Sequence, residues 1–358
     1  MRVRRREAGP VEAGLAGALQ PGEDDEVGGA HAAAGRVLAR RVPSTPSSGA
    51  LRSAAGSPRA RACRVRHNTG RRSPRGDPMH VLVAGCGWLG TALARRLVER
   101  GDRVTGIRRD PGRAAALSAL GIEPLAVDLA DPSAAGRLPA VDAIVACQSA
   151  GADGADAYRA AYVEANRTLL AAAARGGTRA LVYTGSTGVF GQRDGSEVDE
   201  ATAPAPASGT AAVLVEAESL VRGASAGPLR TSVVRLSGLY GPGRTGIVDR
   251  VRAGRLALGP GDDAWMNFCH LDDAIAFVLA ALERAEGGAV YHGSDAEPAR
   301  RREVVEWIAA RLGMTPPRSD APAEGPSRRI RSERTRAVLG VTLTYPSFRD
   351  GLAAAAGA

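Results

Sequence analysis

The chain contains no lysine: all 47 of its basic side chains are arginine. Every role that an ammonium group could play is therefore closed. Its four cysteines, Cys63, Cys86, Cys147 and Cys269, form neither a C-x-x-C pair nor metal-ligand spacing. No metal site is expected, and reduced thiols serving as small apolar residues fit a cytoplasmic protein. No run of 18 apolar residues occurs, and the basic start is not followed by an apolar core. Neither a membrane-spanning helix nor a secretory leader is expected. Even the net charge of +9 is unevenly held, because residues 1–78 carry 15 Arg against 7 Asp and Glu, a net of +8. The other 280 residues are left at +1, so the charge argument for a nucleic-acid partner fails for that part.

The first 78 residues are rich in Arg, Ala, Gly, Pro and Ser, with no sustained apolar periodicity. Such a segment cannot bury enough apolar surface to offset chain entropy and is expected to be disordered. Its part from Arg36 to Arg75 superficially resembles an organelle transit peptide. Met79 stands immediately before the first strand pattern, so the segment reads either as sequence upstream of a start at Met79 or as a basic tail.

What is present begins at Met79. A short apolar run to Ala84 leads into Gly85, Gly87 and Gly90 in G-x-G-x-x-G spacing, and Leu89, Leu93 and Leu97 then recur four apart. Three glycines alone are a weak signal; three glycines between a strand and an amphipathic helix are a strong one. Gly85 allows a tight turn, Gly87 lets backbone approach a pyrophosphate, and Gly90 lets the helix pack on the strand. The helix start, with Trp88 and Leu89, offers free N–H groups to an anion. The segment reads as a dinucleotide site.

From there strands alternate with helices. Strands are expected at Arg103 to Arg109, Leu125 to Asp128, Val141 to Cys147, Ala180 to Thr184 and Arg230 to Leu236. Asp110-Pro111 and Asp131-Pro132 read as helix caps followed by proline at the first helical position. A long helix is expected from Ala155 to Arg175, and another from Ala211 to Arg222. This alternation predicts an α/β Rossmann fold, a doubly wound parallel sheet, over residues 79–237. After Gly238 the pattern loosens into helices at Asp272 to Arg284, Arg302 to Leu312, Ser332 to Leu339 and Ser347 to Ala355, with a short strand at Ala289 to His292. Residues 238–358, with contributions from 188–210, are expected to form a smaller substrate-covering lobe.

Four separated segments carry a family resemblance. They are LVYTGSTGVFG (Leu181 to Gly191), VVRLSGLYGPGR (Val233 to Arg244), NFCHLDDAIAFVLAAL (Asn267 to Leu282) and YPSFRDGL (Tyr345 to Leu352). In that order they resemble the extended and atypical short-chain dehydrogenase/reductases, the NAD-dependent epimerase/dehydratase group, from about Met79 to Ala355. The resemblance implies an NAD(P)-dependent oxidoreductase or epimerase acting on a sugar-like or small carbonyl substrate. It implies Ser186 as the active-site serine, with Thr184 and Thr187 as lesser stand-ins, and Asp128 as either the adenine contact or a turn residue. Tyr240 and His270 lie in segments that face the cleft, Tyr240 as a candidate proton donor. Arg244, Arg328, Arg329 and Arg331 are candidates to converge on a phosphorylated or carboxylated substrate.

The match breaks where chemistry is decided. Typical members carry Y-x-x-x-K about 25 residues after the serine, and aligning Glu216, Ala217 and Glu218 on their helix pattern puts Thr210 at the tyrosine and Leu214 at the lysine. A tyrosine with a pKa near ~10 needs a neighbouring cation to serve as acid or base at neutral pH. This chain has no lysine to supply one. A catalytically silent NADP(H)-binding sensor is therefore the alternative to an enzyme. At the end of the second strand, Arg108 and Arg109 stand where NAD binders place a carboxylate, which predicts NADP over NAD. The expected partner is a small molecule rather than nucleic acid or membrane, and the expected state a monomer or homodimer.

Overall fold

In β1 (His80–Ala84), Val81, Leu82, Val83 and Ala84 are all fully buried. A strand covered on both faces belongs in the middle of a parallel sheet. Alternate side chains enter opposite layers: Val81 and Val83 join Leu93, Leu97, Phe277 and Val278 on one face. Leu82 and Ala84 join Leu169, Val213, Ala217 and Val221 on the other. The computed structural model describes residues 78–321 and 325–356. Residues 1–77, and the readings made of them, lie outside the described residues.

The remaining sheet strands are β2 (Arg103–Arg108), β3 (Glu123–Ala126), β4 (Ala143–Ala146), β5 (Ala180–Ser186), β6 (Arg230–Leu236) and β7 (Ala289–Gly293). They lie in the order β7-β6-β5-β4-β1-β2-β3, and every neighbouring pair is parallel. The expected doubly wound Rossmann sheet is present. The chain leaves β1 in one direction and returns on the other side at β4, and this reversal opens a crevice at the carboxyl ends of the two strands.

Local differences from the sequence reading have local causes. β3 runs Glu123–Ala126 rather than Leu125 to Asp128, because Arg108, the last residue of β2, pairs with Ala126. The helix after β2 is α-helical only over Pro111–Ala115, then 3₁₀ to Leu120, and Gly121 ends it with φ 73°. The long helix spans Ala155 to Gly176 but passes through a π-helical stretch, Arg159–Glu164. Such stretches are frequent beside functional sites. Ala289–Gly293, grouped from sequence with the C-terminal pieces, is the edge strand of the main sheet. Other C-terminal pieces share a core of their own, in which Tyr240, Phe268, Val304, Ile308, Phe348 and Leu352 are buried together. Among the described residues, no helix is long and apolar enough to cross a membrane.

Candidate cofactor and substrate site

The glycine turn occupies the carboxyl end of β1. Gly85 has φ 82°, a conformation that L side chains rarely adopt, and a Cβ there would strike the Gln148 backbone beyond β4. A Cβ on Gly90 would collide with the Gly85 carbonyl, so helix Trp88–Glu99 packs against the turn only because this residue has no side chain. Gly87 is different. A Cβ there meets nothing nearer than Gly85 O at 4.0 Å, and its φ of −76° suits any residue. Gly87 is the N-cap of that helix, whose N-terminus has no side-chain cap, leaving its N–H groups for an anion. These residues fit a pyrophosphate.

The two glycines make a paired test. Gly87→Ala is expected to keep its melting temperature while NAD(P)H affinity falls by about 10–100-fold, as it would if the methyl takes the space of a pyrophosphate. Gly90→Ala is expected to lose both stability and affinity. Thermal shift and fluorescence titration separate these outcomes; equal behaviour of the two variants would contradict the assignment.

Trp88 closes the turn on its outer side. Its indole N–H donates to Pro242 O at 2.8 Å, and the Arg244 guanidinium lies 5.5 Å from its ring centre. Arg244 is thus placed at the glycine turn rather than with the other C-terminal arginines. Cys86 is fully buried within the turn, and burial pushes its thiol up to about 12, so it acts as a packing group.

At the end of β2, Arg108 is half-buried beside the turn, and its Nε is buried with no partner. Arg109 is exposed and extends over Gly151. Asp110 is occupied as a helix cap, accepting from Arg113 N at 2.6 Å. Asp128 is exposed and closes a turn by accepting from Ala130 N at 3.0 Å.

Beyond β4, Gln148 donates to Asn166 Oδ1 at 3.1 Å, and Ala150 N donates to the Tyr162 hydroxyl at 3.3 Å. Tyr158 and Tyr162 meet edge to face at 5.3 Å on the same helix face. The carboxyl ends of β4 and β5 are thereby lined by side chains from the π-containing helix.

Ser186 is the last residue of β5 and half-buried. Its Oγ accepts from Gly188 N at 3.0 Å, which leaves its O–H to donate elsewhere. Thr187 is buried and its hydroxyl is directed at Leu236 O, 3.5 Å away. Immediately beneath, Arg235 of β6 faces Gly185 and is fully buried against Glu218, with Nε and Nη2 each 2.8–3.1 Å from its carboxylate oxygens.

Thr210 and Leu214 lie on helix Gly209–Gly223. Thr210 Oγ1 pairs with Ser208 Oγ at 3.0 Å, and Leu214 is buried with Val189, Phe190, Val198 and Ile330. Tyr240 and His270 are neighbours, 5.2 Å between ring centres, but both are engaged with the C-terminal segment. The Tyr240 hydroxyl donates to Ser347 O at 3.4 Å, and burial, then Asp295, raises it above the ordinary tyrosine range. His270 caps helix Leu271–Arg284, accepts from Asp272 N at 3.2 Å and stacks on Tyr345. Burial lowers its pKa below the ordinary histidine value, against the opposing pull of Asp272 and Asp273.

The four arginines do not converge. Arg329 reaches Gly195 O and Glu197, Arg331 reaches Glu197 and Glu333, and Arg244 stands at Trp88. Only Arg328 enters the serine loop, donating to Thr187 O at 2.8 Å. Sequence spacing alone did not single it out, although a strand's alternation separates neighbours of this kind.

Residues 81–292 match the NAD dependent epimerase/dehydratase family. The chain is 32% identical to a 3-diazoavenalumate denitrifying reductase from a Streptomyces species, over 76% of this chain and 99% of that protein. It is 34% identical to a 2-alkyl-3-oxoalkanoate reductase from Stenotrophomonas maltophilia, over 68% of this chain and 78% of that one. Among solved structures, a functionally unknown conserved protein from Silicibacter pomeroyi is 29% identical with a TM-score of 0.60, over 78% and 98% of the two chains.

Proposed function

Since the chain belongs to the NAD-dependent epimerase/dehydratase family, we propose that it is an NADP(H)-dependent reductase of a small carboxylate-bearing compound, in which Ser186 holds the group reduced and no Tyr–Lys pair stands behind it. The observation that carries this reading is Ser186 at the end of β5, on the same sheet edge as the Gly85–Gly90 turn, with its hydroxyl proton free to donate. When bound, the dinucleotide supplies hydride chemistry at its nicotinamide. The chain's own part is to hold the pyrophosphate on the turn and helix start, the adenosine end near Arg108, and the substrate at Ser186. The two curated relatives are named for reactions on organic-acid anions, which favours a carboxylate-bearing substrate here over a sugar.

NADPH consumption by the full chain with 3-oxo acids, aldehydes and neutral ketones tests the reading. Turnover with the acids supports it. Tight NADPH binding with no turnover of any class would favour a dinucleotide sensor, a reading supported by Leu214 lying in an apolar cluster in a chain without lysine.

The cofactor preference is tested separately. Replacing Arg108 and Arg109 by Ala is expected to weaken NADPH by about 1–3 kcal/mol while NADH binding barely changes, because only the former carries a 2′-phosphate. Equal weakening of both, or tighter NADH binding in the parent, would remove this assignment.

A further inference from the structure

Arg328 differs from the arginines around it in being buried, with 8% of its surface accessible. Its backbone is locked from two directions. Asn267 Nδ2 donates to Arg328 O at 2.9 Å, and Asn267 Oδ1 accepts from Ile330 N at 2.7 Å. Arg329 N and Arg331 N each donate across to the Glu197–Val198 strand, to Ser196 O and Val198 O at 2.9 Å. Successive side chains of an extended segment point to opposite sides. Arg329 therefore packs outward on Trp265, while Arg328 runs inward to Thr187 O, the carbonyl directly after Ser186.

That hydrogen bond is the one its guanidinium makes among the described residues. Among the described residues its Nε is buried without a partner, and no carboxylate offsets its charge. Burial alone holds the group down to about 10, so it remains a cation at neutral pH. A buried cation without a counter-charge is costly, and the cost is relieved when an anion enters.

We propose that Arg328 is the counter-charge for the substrate's carboxylate, and that Asn267 is the residue that positions it. The inference rests on the reading of Ser186 as the holder of the reacting group, and it adds where the other end of the substrate is anchored. A guanidinium presents a planar set of donors that matches two carboxylate oxygens. A phosphate would use the same donors, so the test must separate the two.

Thermal shift of the full chain saturated with NADP⁺, in which a ketone cannot be reduced, reads binding without turnover. The probes are 3-oxooctanoate, its methyl ester and inorganic phosphate, at matched ionic strength. The acid is expected to raise the melting temperature and the ester to leave it unchanged. Arg328→Met should abolish the acid's shift, and Arg328→Lys should keep part of it. Without ligand, Arg328→Met should melt no lower than the parent, because it removes an uncompensated charge; a merely structural arginine would show a loss. An acid shift that survives in Arg328→Met, or no shift in the parent with any probe, would overturn the proposal. So would a larger shift with phosphate than with the acid. If Arg328→Met does not fold, Arg328→Lys decides: a folded Lys variant without the acid shift counts against the carboxylate site. Arg328-dependent acid binding without any turnover would sink the reductase reading alone, whereas equal turnover of acid and ester would sink the anion site alone.

Discussion

Arg235→Met is expected to lower folding stability by about 3–5 kcal/mol at pH 7, because it leaves a carboxylate buried without its cation. Arg235 and Glu218 are each about 2% accessible, and the guanidinium also lies 5.0 Å from the centre of the Phe190 ring. Burial raises Glu218 above the ordinary glutamate range even with Arg235 beside it. A carboxyl raised in the folded state binds more protons there than in the unfolded chain, so its contribution is fully present at low pH and is lost as pH rises through the folded value. Removing the arginine strengthens this effect. The variant's loss relative to the parent is therefore expected to be smaller at pH 5 than at pH 7.5, measured by denaturant unfolding. Nearby His292, held down to about 4 mainly by burial, is neutral in the fold across that range but protonates in the unfolded chain near pH 5, equally in parent and variant, so the variant is read against the parent at each pH. Replacing both partners, as Arg235→Met with Glu218→Leu, should recover most of the loss. A single variant as stable as the parent at pH 7.5 would mean that the pair contributes nothing to holding helix Gly209–Gly223 against β6.

Ser186→Ala is expected to reduce turnover by about 10–1000-fold while NADPH affinity stays similar. The hydroxyl group has two parts to play. Its oxygen accepts from Gly188 N and starts the short turn Thr187–Val189, and in the proposed reaction its proton is donated to a substrate oxygen. Losing the first function costs about 0.5–2 kcal/mol of stability, as for other turn and helix caps. Losing the second removes a donor that acts most strongly as negative charge develops on the substrate. The two losses are separable: the cap appears in the melting temperature, the donor in kcat. A fall in cofactor affinity as large as the fall in turnover would show that the serine loop had simply moved. Unchanged kcat would place the reacting group elsewhere. Tyr240 is then not an obvious successor, since its hydroxyl is directed to Ser347 O and is held above the ordinary tyrosine range.

Much of this protein was legible in order along the chain. The apolar run of β1, the glycine spacing, the Asp-Pro caps and the alternation of strands with helices all depend on neighbours within about one turn or one strand. Local sterics and periodicity therefore disclose them. The absence of lysine is likewise a property of composition, and it closes one catalytic arrangement whatever the fold. Other features depend on pairing between distant segments. β3 ends where its hydrogen bonds to β2 end, and Ala289–Gly293 becomes a sheet strand because β6 offers it an edge. Arg328, Arg329 and Arg331, which look equivalent in sequence, are sorted by the register that Asn267 and the Glu197–Val198 strand impose, which turns one inward to Thr187 and the next outward to Trp265. Tyr240 and His270 carry reactive groups in sequence, but packing against Ser347 and Tyr345 commits them to the C-terminal core. Side-chain identity states which chemistry is available. Burial and partners determine which of it faces the crevice, and both are set by contacts between residues up to 154 positions apart.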